Sequence, residues 1–211
     1  MSPGAAPPFT IAALGTSLTA RGGWLEALPG GLAPRLLRPV VTHNFGRVGA
    51  NSRQGLALLD AVVGALPQVV LLEFAINDAA VHRGVSLAES VTNLTRMVRE
   101  LRRALPDLRL YLMTMSPVRG WYRLLRPRLN VYYDEYAAIA AREQAGLIDH
   151  RRAWAALSPA ELAEALPDGR HPIARVARAI VAAHVLAAIV QDLARLEPLP
   201  PVHPAGADPG G

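Results

Sequence analysis

The sequence contains no cysteine and no lysine, and only 5% of its 211 residues are aromatic. Without cysteine, the chain can form no disulfide, use no thiolate nucleophile and bind no zinc through sulfur. A metal site would then depend on histidine and carboxylates, but the histidines outside the C-terminal motif described below show no metal-ligand spacing. These are His43, His82, His150, His184 and His203. We therefore predict no metal ion and no cofactor.

All 22 basic residues are arginine, and the chain has a formal net charge of +5. A basic chain of this kind raises the question of nucleic-acid binding. The arginines are spread along the sequence, mostly on predicted helix faces with acidic neighbours. They are more typical of a compositional bias than of a surface that follows phosphates, so we predict no nucleic-acid partner.

Two segments bear on membranes and secretion. Residues 1–9 lack the basic start and the long apolar run of a secretory signal, so a cytoplasmic protein is expected. The Ala- and Val-rich residues 173–193 have about the length of a membrane span, but they include several polar or charged side chains. These are Arg175, Arg178, His184, Gln191 and Asp192. Together they cost too much for a lone span, and a packed amphipathic helix is predicted instead.

The order of the predicted elements indicates an α/β fold. Short apolar runs predict five strands, at residues 9–14, 40–45, 69–74, 108–115 and 146–149. Helices are predicted at residues 52–65, 87–105, 131–145, 159–165 and 173–196, with a capping box formed by Ser86 and Glu89. The alternation favours a five-stranded parallel sheet with helices on both faces, in one domain over residues 1–196. The Pro- and Gly-rich residues 197–211 are expected to be a disordered tail.

A serine near the start and a histidine near the end carry the chemistry that the sequence predicts. Ser17 follows the first predicted strand, and His171 has Asp168 three residues before it. A serine hydroxyl needs a base to become a nucleophile, and the imidazole needs a carboxylate to fix its tautomer and stabilise its charge. Polar segments at residues 44–55 and 75–78 also follow predicted strands. All these groups should lie beyond the C-terminal ends of the strands, where parallel sheets place active sites.

Four blocks in this order resemble the SGNH/GDSL hydrolases, a family of serine esterases and lipases, over residues 9 to about 193. The blocks are Gly15-Thr16-Ser17-Leu18, residues 44–51, Ala75-Ile76-Asn77-Asp78 and residues 168–171. The resemblance implies a flavodoxin-like, three-layer α/β/α sandwich. It implies that Ser17 is the nucleophile, His171 the base and Asp168 the acid. It also implies an oxyanion hole made by the backbone N–H groups of Ser17 and Gly49 and the side-chain amide of Asn77.

Two positions depart from the family's motifs. Thr16 stands where the family has the Asp of Gly-Asp-Ser-Leu, and Ala75 stands where it has the first Gly of Gly-x-Asn-Asp. Neither position supplies the nucleophile, the base or an oxyanion donor. The change at Ala75 could alter how closely the backbone approaches a substrate.

Each residue taken alone also has a plainer interpretation. Ser17 could be a helix N-cap, Asn77 a turn residue and His171 a surface histidine. The complete set in the family's order favours the catalytic interpretation.

Three other carboxylates lie near these blocks or near a histidine. Glu73 and Asp78 are expected to have structural hydrogen-bonding roles. Asp149, which precedes His150, is a weaker candidate for the acid.

The segment at residues 116–133 is rich in arginine and aromatic residues and follows a predicted strand. These residues are Arg119, Trp121, Tyr122, Arg123, Arg126, Arg128, Tyr132 and Tyr133. They could form a wall of the pocket suited to a sugar or an anionic head group. They could equally belong to a solvated loop that packs its aromatic rings on the core.

The function expected from these observations is hydrolysis of a carboxylic ester through an acyl-enzyme on Ser17. The substrate would be a small-molecule, carbohydrate or lipid ester with a short acyl or O-acetyl group. A lysophospholipase or a thioesterase of the same family, and acyl transfer to an alcohol, are alternatives within the enzymes. A binding domain that has lost catalysis is the alternative outside them. The sequence leaves the oligomeric state, the acyl length and the alcohol open.

Overall fold

The structure, a computed structural model, describes residues 6–21 and 23–196. Five parallel strands form one sheet in the order β2-β1-β3-β4-β5. The strands are β1 (Phe9–Gly15), β2 (Val40–Asn44), β3 (Val69–Glu73), β4 (Arg109–Met113) and β5 (Gly146–Ile148). Every residue of β1 and β3 is buried. Strands that are buried along their whole length are typical of a parallel sheet that is covered on both faces.

Helices pack on both faces of the sheet and complete three layers. One face carries α2 (Leu28–Leu36) and α12 (Ala183–Leu196), and the other carries α3 (Ser52–Leu56), α4 (Leu59–Gly64), α6 (Leu87–Ala104) and α8 (Leu129–Arg142). Shorter helices lie in the connections: α1 (Ser17–Ala20), α5 (Ala75–Asp78), α7 (Trp121–Leu125), α9 (Arg151–Ala155), α10 (Pro159–Ala165) and α11 (Ala174–Ala177). The predicted α/β/α sandwich with a five-stranded parallel sheet is confirmed.

The register of the sheet brings the ends of the first three strands together. Ala13 in β1 pairs with Asn44 in β2, and Gly15 in β1 pairs with Glu73 in β3. The segments that leave β1, β2 and β3 therefore start side by side at one edge. These are the segments that contain Ser17, Gly49 and Asn77.

Several helix predictions differ from the structure. Helix α2 was not predicted, because Gly30, Gly31 and Pro34 disfavour a helix interior. It forms because Leu28 and Leu32, four residues apart, are both buried. The predicted helix at 52–65 is two helices, α3 and α4. The strands and the other predicted helices agree with the structure to within a few residues.

The predicted capping box at the start of α6 forms only in part. The Ser86 hydroxyl accepts from the Glu89 N–H at 3.1 Å, but the Glu89 carboxylate binds the Arg53 guanidinium instead of returning to Ser86. The ion pair between Glu89 and Arg53 thus takes the place of the second hydrogen bond of the capping box. Complete capping boxes occur instead at Asn51 with Gln54 and at Ser158 with Glu161.

The C-terminal helical region packs on the sheet. It comprises α11, a π-helical turn at Arg178–Ala182, and α12. Within the described residues, Ala174–Arg195 is the one helix with the length and composition to cross a membrane. This is weak evidence, because core helices of soluble proteins have the same properties. Val181, Val185 and Ile189 are fully buried, as a packed amphipathic helix requires. The predicted tail, residues 197–211, lies outside the described residues.

Candidate active site

Ser17 lies in the tight turn that joins β1 to α1. Thr16 is the N-cap of α1, and its hydroxyl accepts from the Leu18 N–H at 3.2 Å. Ser17 is therefore the first helical residue and not the cap, which removes the plainer interpretation of this serine. The N–H of a first helical residue has no partner inside its helix. In the described part of the chain, the Ser17 N–H donates to no acceptor and is available to a ligand.

The carboxyl group of a buried glutamate, Glu73, accepts several hydrogen bonds from this turn. Oε1 of Glu73 accepts from the Thr16 N–H at 2.6 Å, the Thr16 hydroxyl at 3.0 Å and the Thr19 hydroxyl at 2.8 Å. A Cβ at Gly15 would lie 2.3 Å from the same oxygen, so glycine is required there. Burial raises the pKa of Glu73 to about 7, against the opposing effect of these hydrogen bonds. Glu73 has the expected hydrogen-bonding role, but its partners are in the Ser17 turn.

Ser17, His171 and Asp168 form one hydrogen-bonded chain. The Ser17 Oγ lies 2.8 Å from Nε2 of His171, and Nδ1 of His171 lies 2.5 Å from Oδ2 of Asp168. If Nδ1 carries the proton and donates to Asp168, Nε2 is free to accept from the serine hydroxyl. This is the arrangement in which histidine can act as a general base toward serine.

Burial, hydrogen bonds and neighbouring charges shift the pKa values of Asp168 and His171. Oδ1 of Asp168 accepts from the N–H groups of Arg170 at 3.0 Å and His171 at 2.8 Å. Burial raises the pKa of Asp168, but hydrogen bonds from His171 and Arg170 outweigh it and bring the pKa down to about 2. Burial also lowers the pKa of His171; Asp168 opposes this, and the charges of Arg21 and Arg170 add to it. The structure thus favours an ionised Asp168 and a neutral His171 near pH 7.

The loop that carries Asp168 and His171 is anchored to the segment after β4. The Ser116 hydroxyl donates to the Arg170 carbonyl at 3.0 Å, and the Arg119 N–H donates to the Gly169 carbonyl at 2.7 Å. The start of the 116–133 segment is therefore part of the framework of the site.

Gly49 and Asn77 place two more donors at the same edge. Gly49 has a φ of +79°, a conformation that favours glycine, and its N–H donates to no acceptor within the described residues. The side-chain amide of Asn77 is buried and donates to the Ala50 carbonyl at 2.7 Å, which leaves its second N–H for a ligand. The loops bearing Ser17, Gly49 and Asn77 thus offer the donor types of the predicted oxyanion hole.

The other carboxylates have partners of their own. Asp78 accepts from the Ser52 N–H at 2.8 Å and the Ser90 hydroxyl at 2.5 Å, which is the expected structural role. Asp149 is bound by Arg151 and by the Thr114 hydroxyl at 2.9 Å. Asp168, not Asp149, contacts His171.

A cleft beside Ser17 is small. Its volume is about 80 Å³, and its lining includes Ser17, Leu18, Arg21, His171 and Pro172. A larger groove of about 760 Å³ lies beyond β4 and β5, lined by side chains such as Tyr133 and Trp154. None of Ser17, Asp168 and His171 lines this groove, whereas Ser17 and His171 line the small cleft.

Sequence reasoning did not identify three arginines at the site. Nη1 of Arg21 lies 3.3 Å from Nδ1 of His171, and the guanidinium of Arg83 donates to the Gly49 carbonyl at 2.5 Å. Arg170, inside the predicted motif, was not assigned a role. No sequence signal marks Arg21 or Arg83. Among the described residues, no group of three or more His, Asp or Glu side chains is arranged to hold a metal ion.

Comparison with solved structures shows the fold of SGNH and GDSL hydrolases. A lipase/acylhydrolase from Enterococcus faecalis has a TM-score of 0.73 and 23% identity, covering 93% of this chain and 100% of that chain. An acetylxylan esterase from Geobacillus stearothermophilus has a TM-score of 0.72 and 21% identity, covering 90% and 96%. TesA has a TM-score of 0.68 and 23% identity, covering 85% and 97%.

The sequence itself assigns the family. A family model for GDSL-like lipases and acylhydrolases matches residues 13–204, and the chain belongs to this family. The resemblance drawn from the four sequence blocks is thereby confirmed. No curated protein sequence matches the chain significantly.

Proposed function

We propose that this protein hydrolyses a carboxylic ester with a short acyl group, through an acyl-enzyme on Ser17. The observation that carries the proposal is the hydrogen-bonded chain from Ser17 Oγ through His171 to Asp168, at 2.8 Å and 2.5 Å. Unpartnered backbone N–H groups beside the hydroxyl support it, because acyl transfer needs donors where negative charge develops.

In the first half of the reaction, Oγ of Ser17 attacks the ester carbonyl and its proton passes to Nε2 of His171. The carbonyl oxygen becomes negative and is held by the N–H groups of Ser17 and Gly49 and by the Asn77 amide. Asp168 stabilises the imidazolium. The imidazolium then gives its proton to the departing alcohol as the carbon–oxygen bond breaks, which leaves the acyl group on Ser17.

In the second half, water attacks the acyl-enzyme. His171 takes a proton from the water, and the same donors hold the negative oxygen. The bond to Oγ of Ser17 breaks, and His171 returns the proton to this oxygen. The products are a carboxylic acid and an alcohol, and the protein is regenerated.

The size of the cleft supports a short acyl group. The cleft beside Ser17 has a volume of about 80 Å³, well below the ~300–1,000 Å³ of cavities that enclose drug-sized ligands. This small volume favours an acetyl or propionyl group over a fatty-acyl chain. Hydrolysis of a series of aryl esters from acetyl to decanoyl should therefore fall in rate beyond about four carbons. A preference for long chains would instead support the lysophospholipase or thioesterase alternative.

Labelling with a fluorophosphonate tests the activated serine directly. Intact mass should show one adduct, peptide mapping should place it on Ser17, and labelling should be suppressed at a pH where His171 is protonated. Ser17→Ala should fold, take no label and lose ester hydrolysis by at least about 1,000-fold. Ser86→Ala, at the N-cap of α6 and outside the loops of the site, is the control and should still be labelled. A folded protein that takes no label, or a Ser17→Ala variant that retains hydrolysis, would contradict the proposal.

A further inference from the structure

Three arginines lie close to the site, and none has an acidic partner among the described residues. They are Arg83, Arg126 and Arg170, here called the arginine cluster. Arg83 donates to the Gly49 carbonyl at 2.5 Å, and Nε of Arg126 donates to the carbonyl of Ile76, the neighbour of Asn77, at 2.5 Å. Arg170 directly precedes His171. Arg83 and Arg126 thus bind the backbone at or next to the proposed oxyanion residues, and Arg170 adjoins the histidine.

The members of the cluster lie close to one another. The guanidinium carbons of Arg126 and Arg170 lie 5.4 Å and 4.7 Å from the ring centroid of the same residue, Tyr122. The charges of Arg170 and Arg83 both add to the effect of burial in lowering the pKa of Arg126. Like charges brought together in this way repel each other, and the repulsion needs compensation.

The described residues do not supply this compensation. Arg126 is only 4% exposed, and its Nη1 has no hydrogen-bond partner within the described residues. Nε of Arg83 and Nε of Arg170 also lack a partner there. Among the described residues, no carboxylate forms a salt bridge with any member of the cluster. A buried charge without a counter-charge is energetically costly. A bound anion would offset this cost.

We infer that the arginine cluster binds an anionic group of the substrate, a phosphate or a carboxylate, close to the ester that Ser17 attacks. Guanidinium groups bind both anions through paired hydrogen bonds, and two of the three guanidinium groups lie against the Tyr122 ring. The inference rests on the proposed function, since it names the class of ester that the same site takes. The substrate is then an ester of a phosphorylated or carboxylated compound and not a neutral one.

Matched ester pairs test this inference. One pair is 1-acetylglycerol 3-phosphate and 1-acetylglycerol, and the other is 2-acetoxypropanoate and 2-acetoxypropanamide. We expect kcat/KM to be at least about tenfold higher for the anionic member of one pair, the effect of one charged hydrogen bond. The pair that shows the preference identifies phosphate or carboxylate as the anion.

Variants connect the preference to the cluster. In Arg170→Gln and Arg126→Gln, the ratio of kcat/KM between the anionic and the neutral ester should fall by about tenfold. Arg123→Gln is the matched control, because Arg123 is exposed in the same segment, and it should keep the wild-type ratio. Arg126 is buried and its replacement could prevent folding. Arg170 is only partly buried, so Arg170→Gln should fold and tests the inference even if Arg126→Gln does not fold.

A binding measurement separates this inference from the proposed function. Ser17→Ala should bind inorganic phosphate or acetate in calorimetry, and adding Arg170→Gln should weaken that binding by about tenfold. Binding without hydrolysis of any ester would support the anion site and contradict the esterase. Hydrolysis with equal kcat/KM within both pairs, and no anion binding, would overturn the inference and leave the esterase standing.

Discussion

Replacing Glu73 with glutamine tests whether burial or hydrogen bonding governs the carboxyl group beneath the Ser17 turn. Burial disfavours the carboxylate, whereas donors from Thr16 and Thr19 favour it, and burial has the larger effect, raising the pKa from 4.5 to about 7. At 1.36 kcal/mol for each pKa unit, this rise corresponds to about 3 kcal/mol. The folded state binds the proton more tightly than the unfolded state. Its contribution to stability is therefore complete below pH 4.5 and is lost as the pH rises through about 7.

Urea unfolding at several pH values measures the effect. The free energy of unfolding of the wild type, relative to Glu73→Gln, should decrease by about 3 kcal/mol between pH 4.5 and 8 and then stay level. Glutamine keeps an oxygen that can accept from the Thr16 N–H but does not titrate in this range. Other titrating groups contribute equally to both proteins and cancel in the difference. Glu164→Gln, at an exposed position on α10, should show no such trend.

The direction in which the stability difference changes with pH shows whether burial or hydrogen bonding has the larger effect on the pKa of Glu73. If the wild type instead gains stability over Glu73→Gln as the pH rises, hydrogen bonds from the threonines outweigh burial and the carboxylate is ionised in the fold. A difference that does not change with pH would show that the pKa of Glu73 is not raised. Either result would refute the reasoning.

Two further predictions concern His171 and the proposed oxyanion hole. Arg21→Gln removes a charge that lowers the pKa of His171, so the acidic limb of the kcat/KM profile should move to higher pH. The shift should shrink in high salt, and an unchanged limb at low salt would show that this charge is screened. Asn77→Ala should lower kcat about 100- to 1,000-fold, the usual effect of losing one oxyanion donor. The control Asn93→Ala removes another buried amide, one that donates to Ser52, and should leave kcat within a few fold; equal losses in the two variants would indicate damage to the fold.

The strands and the site motifs were predictable because their signals are local. β1 and β3 are mostly apolar runs, and the structure ends both within one residue of the predicted bounds. Asp168 and His171 are three residues apart, and the turn between them is closed by the hydrogen bond from the His171 N–H to Asp168. By contrast, α2 was missed, because the burial of Leu28 and Leu32 outweighs two glycines and a proline. That burial depends on helix α12, far along the chain, which packs against α2.

The sequence alone determined the α/β class, the parallel sheet and the identity of the groups that we propose as catalytic. Each strand and helix follows from a short residue pattern, and the catalytic assignment follows from the order of four such patterns along the chain and from the family that they resemble. Only the tertiary structure decided which distant side chains meet. It placed Glu73 under Thr16, brought Arg83 to Gly49 and joined Arg126 to Arg170 over one tyrosine ring. Such contacts depend on strand order and register, and a local pattern of hydrophobic and polar residues does not encode which polar side chains then face each other.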